Sequence, residues 1–241
     1  MPTTAAPRIY PVMCSRYSHT SPPEATRDLF RYPEQPNFPP RNNIAPTQPV
    51  PIIRLDHRGA RTFQLVRWGL IPSWVKDPRD FTTLINARSE TVFEKPSFRG
   101  AIKYRRCLVP SDGFYEWTGE RGSKTPHFIH RRDGQLMAYA GLWESWLGAD
   151  GSEMDSMAIL TTGPNATMEP IHTRMPVILA EQDFETWLTA ASTELEPIAK
   201  LLRPAPDTLL EVSPVTWSLS HAKAGTAESG PDPTNRQGSL F

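Results

Sequence analysis

Cysteine is scarce in this chain: Cys14 and Cys107 are the only two among 241 residues. Two cysteines make no disulfide framework and suit a reducing cytosol. Long apolar runs are missing too. No stretch approaches the roughly 20 apolar residues of a spanning helix, so no membrane partner is expected. There is no Cys/His cluster at metal-ligand spacing, no G-x-S-x-G elbow and no glycine-rich phosphate loop. No metal and no cofactor is therefore expected. Net charge is absent as well, with 26 Lys+Arg against 26 Asp+Glu. That balance hides an asymmetry: residues 1–132 hold 21 basic and 11 acidic residues, and the remainder holds 5 and 15. In the basic part Arg outnumbers Lys 17 to 4, and the planar guanidinium fork matches phosphate oxygens. A basic half points to an anionic polymer; equally, the two halves can pair across one fold.

What the chain has in quantity is proline, 26 residues that break it into short pieces. Ser21-Pro-Pro-Glu24 has the form of a capping box, which predicts a short helix over Glu24–Arg31. The segment Pro33–Pro40 reads as loop. Val50–Leu55 and Thr62–Trp68 flank Asp56-His-Arg-Gly59 as a hairpin. Ala87–Glu94 is expected to form a short helix. Arg106–Val109, Gly113–Trp117, His127–Arg131 and Leu136–Leu142 read as strands, the last two joined by Asp133-Gly134. Met157–Leu160 and Pro176–Leu179 add two more, and Gln182–Ala190 has an amphipathic helical pattern. Strands dominate without βαβ alternation. The expected fold is α+β, a single domain around a curved, mostly antiparallel, barrel-like sheet with short peripheral helices. Its expected limits are 13–220, between a leader over 1–12 that is disordered or untranslated and a disordered tail over 221–241.

The chemistry begins at Met13-Cys14. If translation starts at Met13, or the bond after it is cut, the chain opens on a free α-amine beside a thiol. With pKa values of about 8 and about 8.5, both groups have reactive forms near neutrality. Such an aminothiol condenses with an aldehyde to an imine and closes to a five-membered thiazolidine; a buried cysteine in a first strand is the plainer reading. Glu116 lies among the aromatics of Gly113-Phe-Tyr-Glu-Trp117, where a carboxyl is expected to titrate high and move protons; an outward-facing Glu is the alternative. His172 sits in Ile171-His-Thr-Arg-Met-Pro176 at a strand entrance, as a proton carrier or a structural ring. Asn86 and Arg88 share a face if extended and can grip an anion or orient a carbonyl; Asn86 can equally cap a helix. The aromatics of Arg67-Trp-Gly-Leu-Ile-Pro-Ser-Trp74 can stack unpaired bases, or Trp68 can be plain core.

Seven blocks stand in a recognisable order: Met13-Cys-Ser-Arg16, Asn42-Asn-Ile-Ala-Pro-Thr47, Arg67–Trp74, Asn86-Ala-Arg-Ser-Glu-Thr91, Arg106–Trp117, Ala140-Gly-Leu-Trp143 and Ile171–Leu179. Over about residues 13–215 the chain resembles the SOS response-associated peptidase family, also described as abasic-site-processing proteins. The resemblance implies a covalent link between an N-terminal cysteine and the ring-opened sugar aldehyde of an abasic site in single-stranded DNA, which shields the lesion. By motif position Cys14 would be the nucleophile, Glu116 the proton-transfer group and His172 a support for the sugar hydroxyl or imine. Asn86 would position the amine, Arg16 and Arg88 would contact phosphates, Trp74 would stack on or wedge against a base, and Thr161 would line the pocket. Self-removal of the initiator residue is implied too, as is a monomeric, cytoplasmic and nucleoid-associated protein. Two departures stand out: twelve residues precede Met13, and Ser15 follows the cysteine where glycine is usual.

The last five residues, Gln237-Gly-Ser-Leu-Phe241, resemble peptides that dock on the bacterial sliding clamp, with Leu240 and Phe241 as apolar anchors and Gln237 at the rim. Two other functional readings remain: a cysteine peptidase acting in trans through Cys14, His172 and Glu116, and a non-covalent binder of single-stranded DNA.

Overall fold

The computed structural model describes residues 15–120 and 123–215; Cys14, the leader and Gln237, Leu240 and Phe241 lie outside the described residues. The chain enters through β1 (Tyr17–His19), α1 (Pro23–Phe30) and β2 (Arg41–Ile44). A long hairpin follows, β3 (Pro49–Leu55) and β4 (Arg61–Trp68), and then β5 (Asn86–Arg88) and α2 (Ala101–Tyr104). Next come β6 (Arg106–Ser111), β7 (Gly113–Thr118), β8 (Thr125–Arg131), β9 (Met137–Leu147) and β10 (Glu153–Thr162). The last elements are β11 (Met175–Pro176), β12 (Ile178–Leu179), α3 (Phe184–Thr189), α4 (Glu196–Leu201) and β13 (Leu210–Pro214).

Five strands close on themselves. The order β10-β4-β3-β6-β9 is completed by β9 pairing back to β10, and a second sheet runs β13-β8-β7-β1-β2. The closed ring obeys the two-residue period of a strand. Val50, Ile52, Val66, Trp68, Cys107, Val109, Met137, Tyr139, Met157 and Ile159 fill one buried cluster with Tyr17, Phe114 and Ile129 of the second sheet. Their strand neighbours Ile53, Leu108, Ala138, Ala140, Ala158 and Leu160 belong to another cluster, with Phe30, Phe184 and Trp187 from the helices. One face of each strand thus fills the barrel and the other takes the helical layer, so the expected barrel-like α+β domain is realised. It is mostly antiparallel, with β10 running parallel to both β4 and β5.

Local chemistry explains the turns. In the β3–β4 hairpin the Asp56 carboxylate accepts from the Arg58 and Ala60 amides at 2.8 and 2.9 Å, while Gly59 takes φ +80°, a region that side chains disfavour. Three expectations are corrected. Ser21 does not cap α1: its hydroxyl goes to Asp112, and α1 starts with Pro22 at the cap position and no side-chain cap bond. Residues 87–94 are not a helix, because the edge of β10 supplies partners for an extended backbone: Ile159 N donates to Ile85 O at 3.0 Å and Ser89 N to Thr161 O at 2.9 Å. Asn86 therefore opens a strand rather than a helix. Lastly, Pro176–Leu179 is not one strand. The paired stretch of β9 and β10 ends at Ile159–Gly141. Beyond it, Val177 bridges them, its N–H donating to Leu160 O at 2.8 Å and its carbonyl accepting from Ala140 N at 2.9 Å.

Arg106 holds the helical layer on the barrel. It is 6% exposed and donates to the carbonyls of Trp187 and Ala190 at 2.5 Å each, Ile102 at 2.7 Å and Lys103 at 2.8 Å. Those carbonyls end α2 and α3, which their own backbones leave unsatisfied.

Candidate functional site

The start of the described residues runs along β7, the strand that carries Glu116. Tyr17 and Ser18 pair with Phe114 and Gly113, and Tyr115 N donates to Arg16 O at 3.0 Å. Glu116 shares a strand face with Phe114, which belongs to the barrel-side core, and is only 4% exposed. The aromatic flanks do not enclose it as the sequence suggested: Tyr115 and Trp117 point to the other face, where they pack with Phe128. Across from Glu116 stands His127, with Nε2 2.8 Å from the Thr118 hydroxyl. Arg16 donates from Nη1 to Asn43 Oδ1 at 2.9 Å, and burial pulls its pKa down from the usual guanidinium value.

A second set gathers at the far end of β10. Asn86, Ala87 and Arg88 pair with Ile159, Leu160 and Thr161. Paired residues share a face, and Ile159 belongs to the barrel interior. Asn86, Arg88 and Thr161 thus continue that interior toward its end. Thr161 is 2% exposed, while Arg88 is exposed to solvent. Arg174 ties this end together, donating from Nη2 to Thr161 O at 2.8 Å and to Glu90 Oε2 at 2.8 Å. Those bonds hold the Glu90 carboxyl below the usual carboxylate range. The Arg174 amide donates to His172 Nδ1 at 3.1 Å. An amide can only donate, so Nδ1 is the acceptor, and a neutral ring carries its proton on Nε2.

Trp68 links the two sets. Its ring meets Tyr17 edge-on at 5.2 Å and its indole N–H donates to Ile85 O at 3.0 Å, which fixes β1 against the entry to β5. Trp74 goes elsewhere. It is 58% exposed and packs edge-on to Phe81 at 5.6 Å. Phe81 in turn lies on a cluster with Trp146 and Met154, where β9 turns into β10. Met154 precedes Thr161 by seven residues, about 23 Å of strand.

Asn86, Arg88, Thr161 and His172 therefore gather at one end of the barrel, Arg16 just precedes β1 beside the β7 strand that carries Glu116, and Trp74 lies apart. Two residues given no role of their own in the sequence belong here: Arg174, read there only as a neighbour of His172, and His127, which strand pairing sets across from Glu116. Cys107 is inside the barrel and burial raises its thiol pKa. Among the described residues no helix is long and apolar enough to cross a membrane.

Comparison with known proteins fits this geometry. Residues 13–222 match the family model described as SOS response associated peptidase (SRAP). The abasic site processing protein YoqW of Bacillus subtilis is 36% identical over 220 residues, covering 90% of this chain and 98% of its own. The abasic site processing protein HMCES of Gallus gallus is 33% identical over 193 residues, covering 70% of this chain and 56% of its own. A crystal structure of a protein from Bacteroides thetaiotaomicron superposes with a TM-score of 0.75 at 31% identity, over 84% of this chain and 92% of that one. The chain belongs to the SOS response associated peptidase family.

Proposed function

We propose that this protein processes abasic sites in single-stranded DNA by closing a thiazolidine between Cys14 and the ring-opened sugar, so shielding the lesion. The α-amine of Cys14 attacks the C1′ aldehyde and water leaves, giving an imine. The thiol then adds to the imine carbon and its proton ends on nitrogen. One water is released and nothing is oxidised. The step needs a free amine, so residues 1–13 are absent from the working protein, through a start at Met13 or through self-processing. The domain that does this work spans 13–220.

The observation that carries the reading is the buried carboxyl of Glu116 on β7, the strand that pairs with β1 three residues after Cys14. A carboxyl there can relay the protons of sugar opening, imine formation and release. Asn86 orients the amine, and His172 offers Nε2–H to the sugar hydroxyl or the imine. Arg16 and Arg88 take the flanking phosphates, Thr161 lines the pocket and Trp74 stacks on a base away from the lesion. The printed names of the curated relatives, abasic site processing proteins, support the same substrate.

The test is intact-mass spectrometry of the protein, alone and with a single-stranded oligonucleotide carrying one abasic site. A free mass starting at Cys14, with a DNA adduct that Cys14→Ala loses, is the expected result. In Glu116→Gln adduct formation should slow by roughly 100-fold. A mass retaining residues ahead of Cys14, without an adduct, would overturn the mechanism and leave a peptidase in trans or a non-covalent binder. The same reading has the monomer held at replication sites by Gln237, Leu240 and Phe241 on the sliding clamp; Leu240→Ala with Phe241→Ala should abolish clamp pull-down.

A further inference from the structure

The surface away from the abasic pocket carries a cleft of about 480 Å³, lined by residues 72–74, 96–97, 99–101, 103–105 and Glu144. Two properties set it apart. Trp74 and Tyr104, at 58% and 68% exposure, are the only large aromatics exposed among the described residues, and both line it. Aromatic surface left in water at two points of one cleft asks for a flat partner.

Its charge is also one-sided. Arg99 and Lys103 are exposed and make no ion pair among the described residues. Arg105 pairs with Glu144 at 2.7 Å, but the carboxylate is the buried member, at 8% against 31% for the arginine side chain. Arg105 Nε is also buried without a hydrogen-bond partner. Three cations against one carboxylate leave the cleft with an excess of two positive charges. Cations for phosphates interleaved with faces for bases are what a single strand requires, whereas an acidic peptide would use the cations and leave the rings idle.

We propose that this cleft is an accessory single-stranded DNA subsite, in which bases stack on Tyr104 and Trp74 while Arg99, Lys103 and Arg105 follow the backbone. It extends the reading of abasic-site processing, on which it rests, by letting the protein hold intact strand beside a lesion or search along it.

The experiment is fluorescence anisotropy with a 20-nucleotide single strand that contains no abasic site, across a salt series. Tyr104→Ala should weaken binding roughly tenfold. Arg99→Ala with Lys103→Ala should lower the slope of log K against log salt by about 1.4, since each lost phosphate contact is worth about 0.7 on single strands. All three side chains are exposed, so a melting curve matching the parent excludes misfolding. Adduct yield on a saturating abasic oligonucleotide should stay unchanged in these variants, because they leave Cys14 and Glu116 alone. Unchanged affinity and salt slope would overturn the subsite while leaving the crosslinking reading intact. Equal competition by a polyglutamate peptide, insensitive to Tyr104→Ala, would overturn it in favour of a general polyanion surface.

Discussion

Trp68 and Trp74 stand six residues apart in one segment, yet they belong to different regions. Trp68 is fully buried in the barrel, its ring against Tyr17 and its N–H on Ile85 O. Trp74 sits on the surface beside a cationic cleft. Cations divide in the same way: Arg106 is buried on four carbonyls, whereas Arg99 and Lys103 face water. The barrel uses aromatic and guanidinium groups to fix strands and helix ends, and the cleft leaves the same chemistry unsatisfied. A group already satisfied by the fold is poorly placed to bind anything else.

The sharpest way to break this contrast is Trp68→Ala, which opens a cavity inside the barrel. It should cost about 3–5 kcal/mol in urea unfolding, and it should also slow adduct formation, because β1 loses its link to β5. Next is Arg106→Met, which orphans the carbonyls that end α2 and α3; a loss of about 2–4 kcal/mol is expected. Trp74→Ala should change stability by less than about 0.5 kcal/mol while weakening binding to intact single strands. Equal stability losses for Trp68→Ala and Trp74→Ala would erase the distinction.

The smallest effect concerns the β8–β9 turn. Arg131 holds the Asp133 carboxyl at about 2, below its ordinary 3.8. A depressed folded pKa adds stability above the unfolded value and loses it as pH falls toward 2. Asp133 is half-exposed, so solvent screening leaves only a few tenths of a kcal/mol. Asp133→Asn should lower the melting temperature slightly at pH 7, with the difference shrinking as pH falls through about 2.

Several elements were legible in the sequence because their causes are local. Asp56–Gly59 and Asp133-Gly134 make hairpin turns from their own side chains and positive-φ glycines, and the alternating runs beside them could only be strands. The helix expected over 87–94 failed for a non-local reason: its backbone found a better partner in the edge of β10. Ser21 likewise left its own helix for Asp112, 91 residues away. At the candidate site the ordered blocks gave roles to Asn86, Glu116 and His172; Arg174 lay inside the last block without one, because its bonds to Thr161 and Glu90 join remote segments.

By itself, then, the sequence determined the strand-rich α+β class, the hairpin turns and the family blocks. All of these depend on residue type and near neighbours. Only the tertiary structure decided that five strands close into a ring, that Glu116 turns inward on the strand that pairs with β1, and that Trp68 is core while Trp74 is surface. Those outcomes depend on which remote backbone or side chain satisfies each group, and burial is settled by the whole fold together.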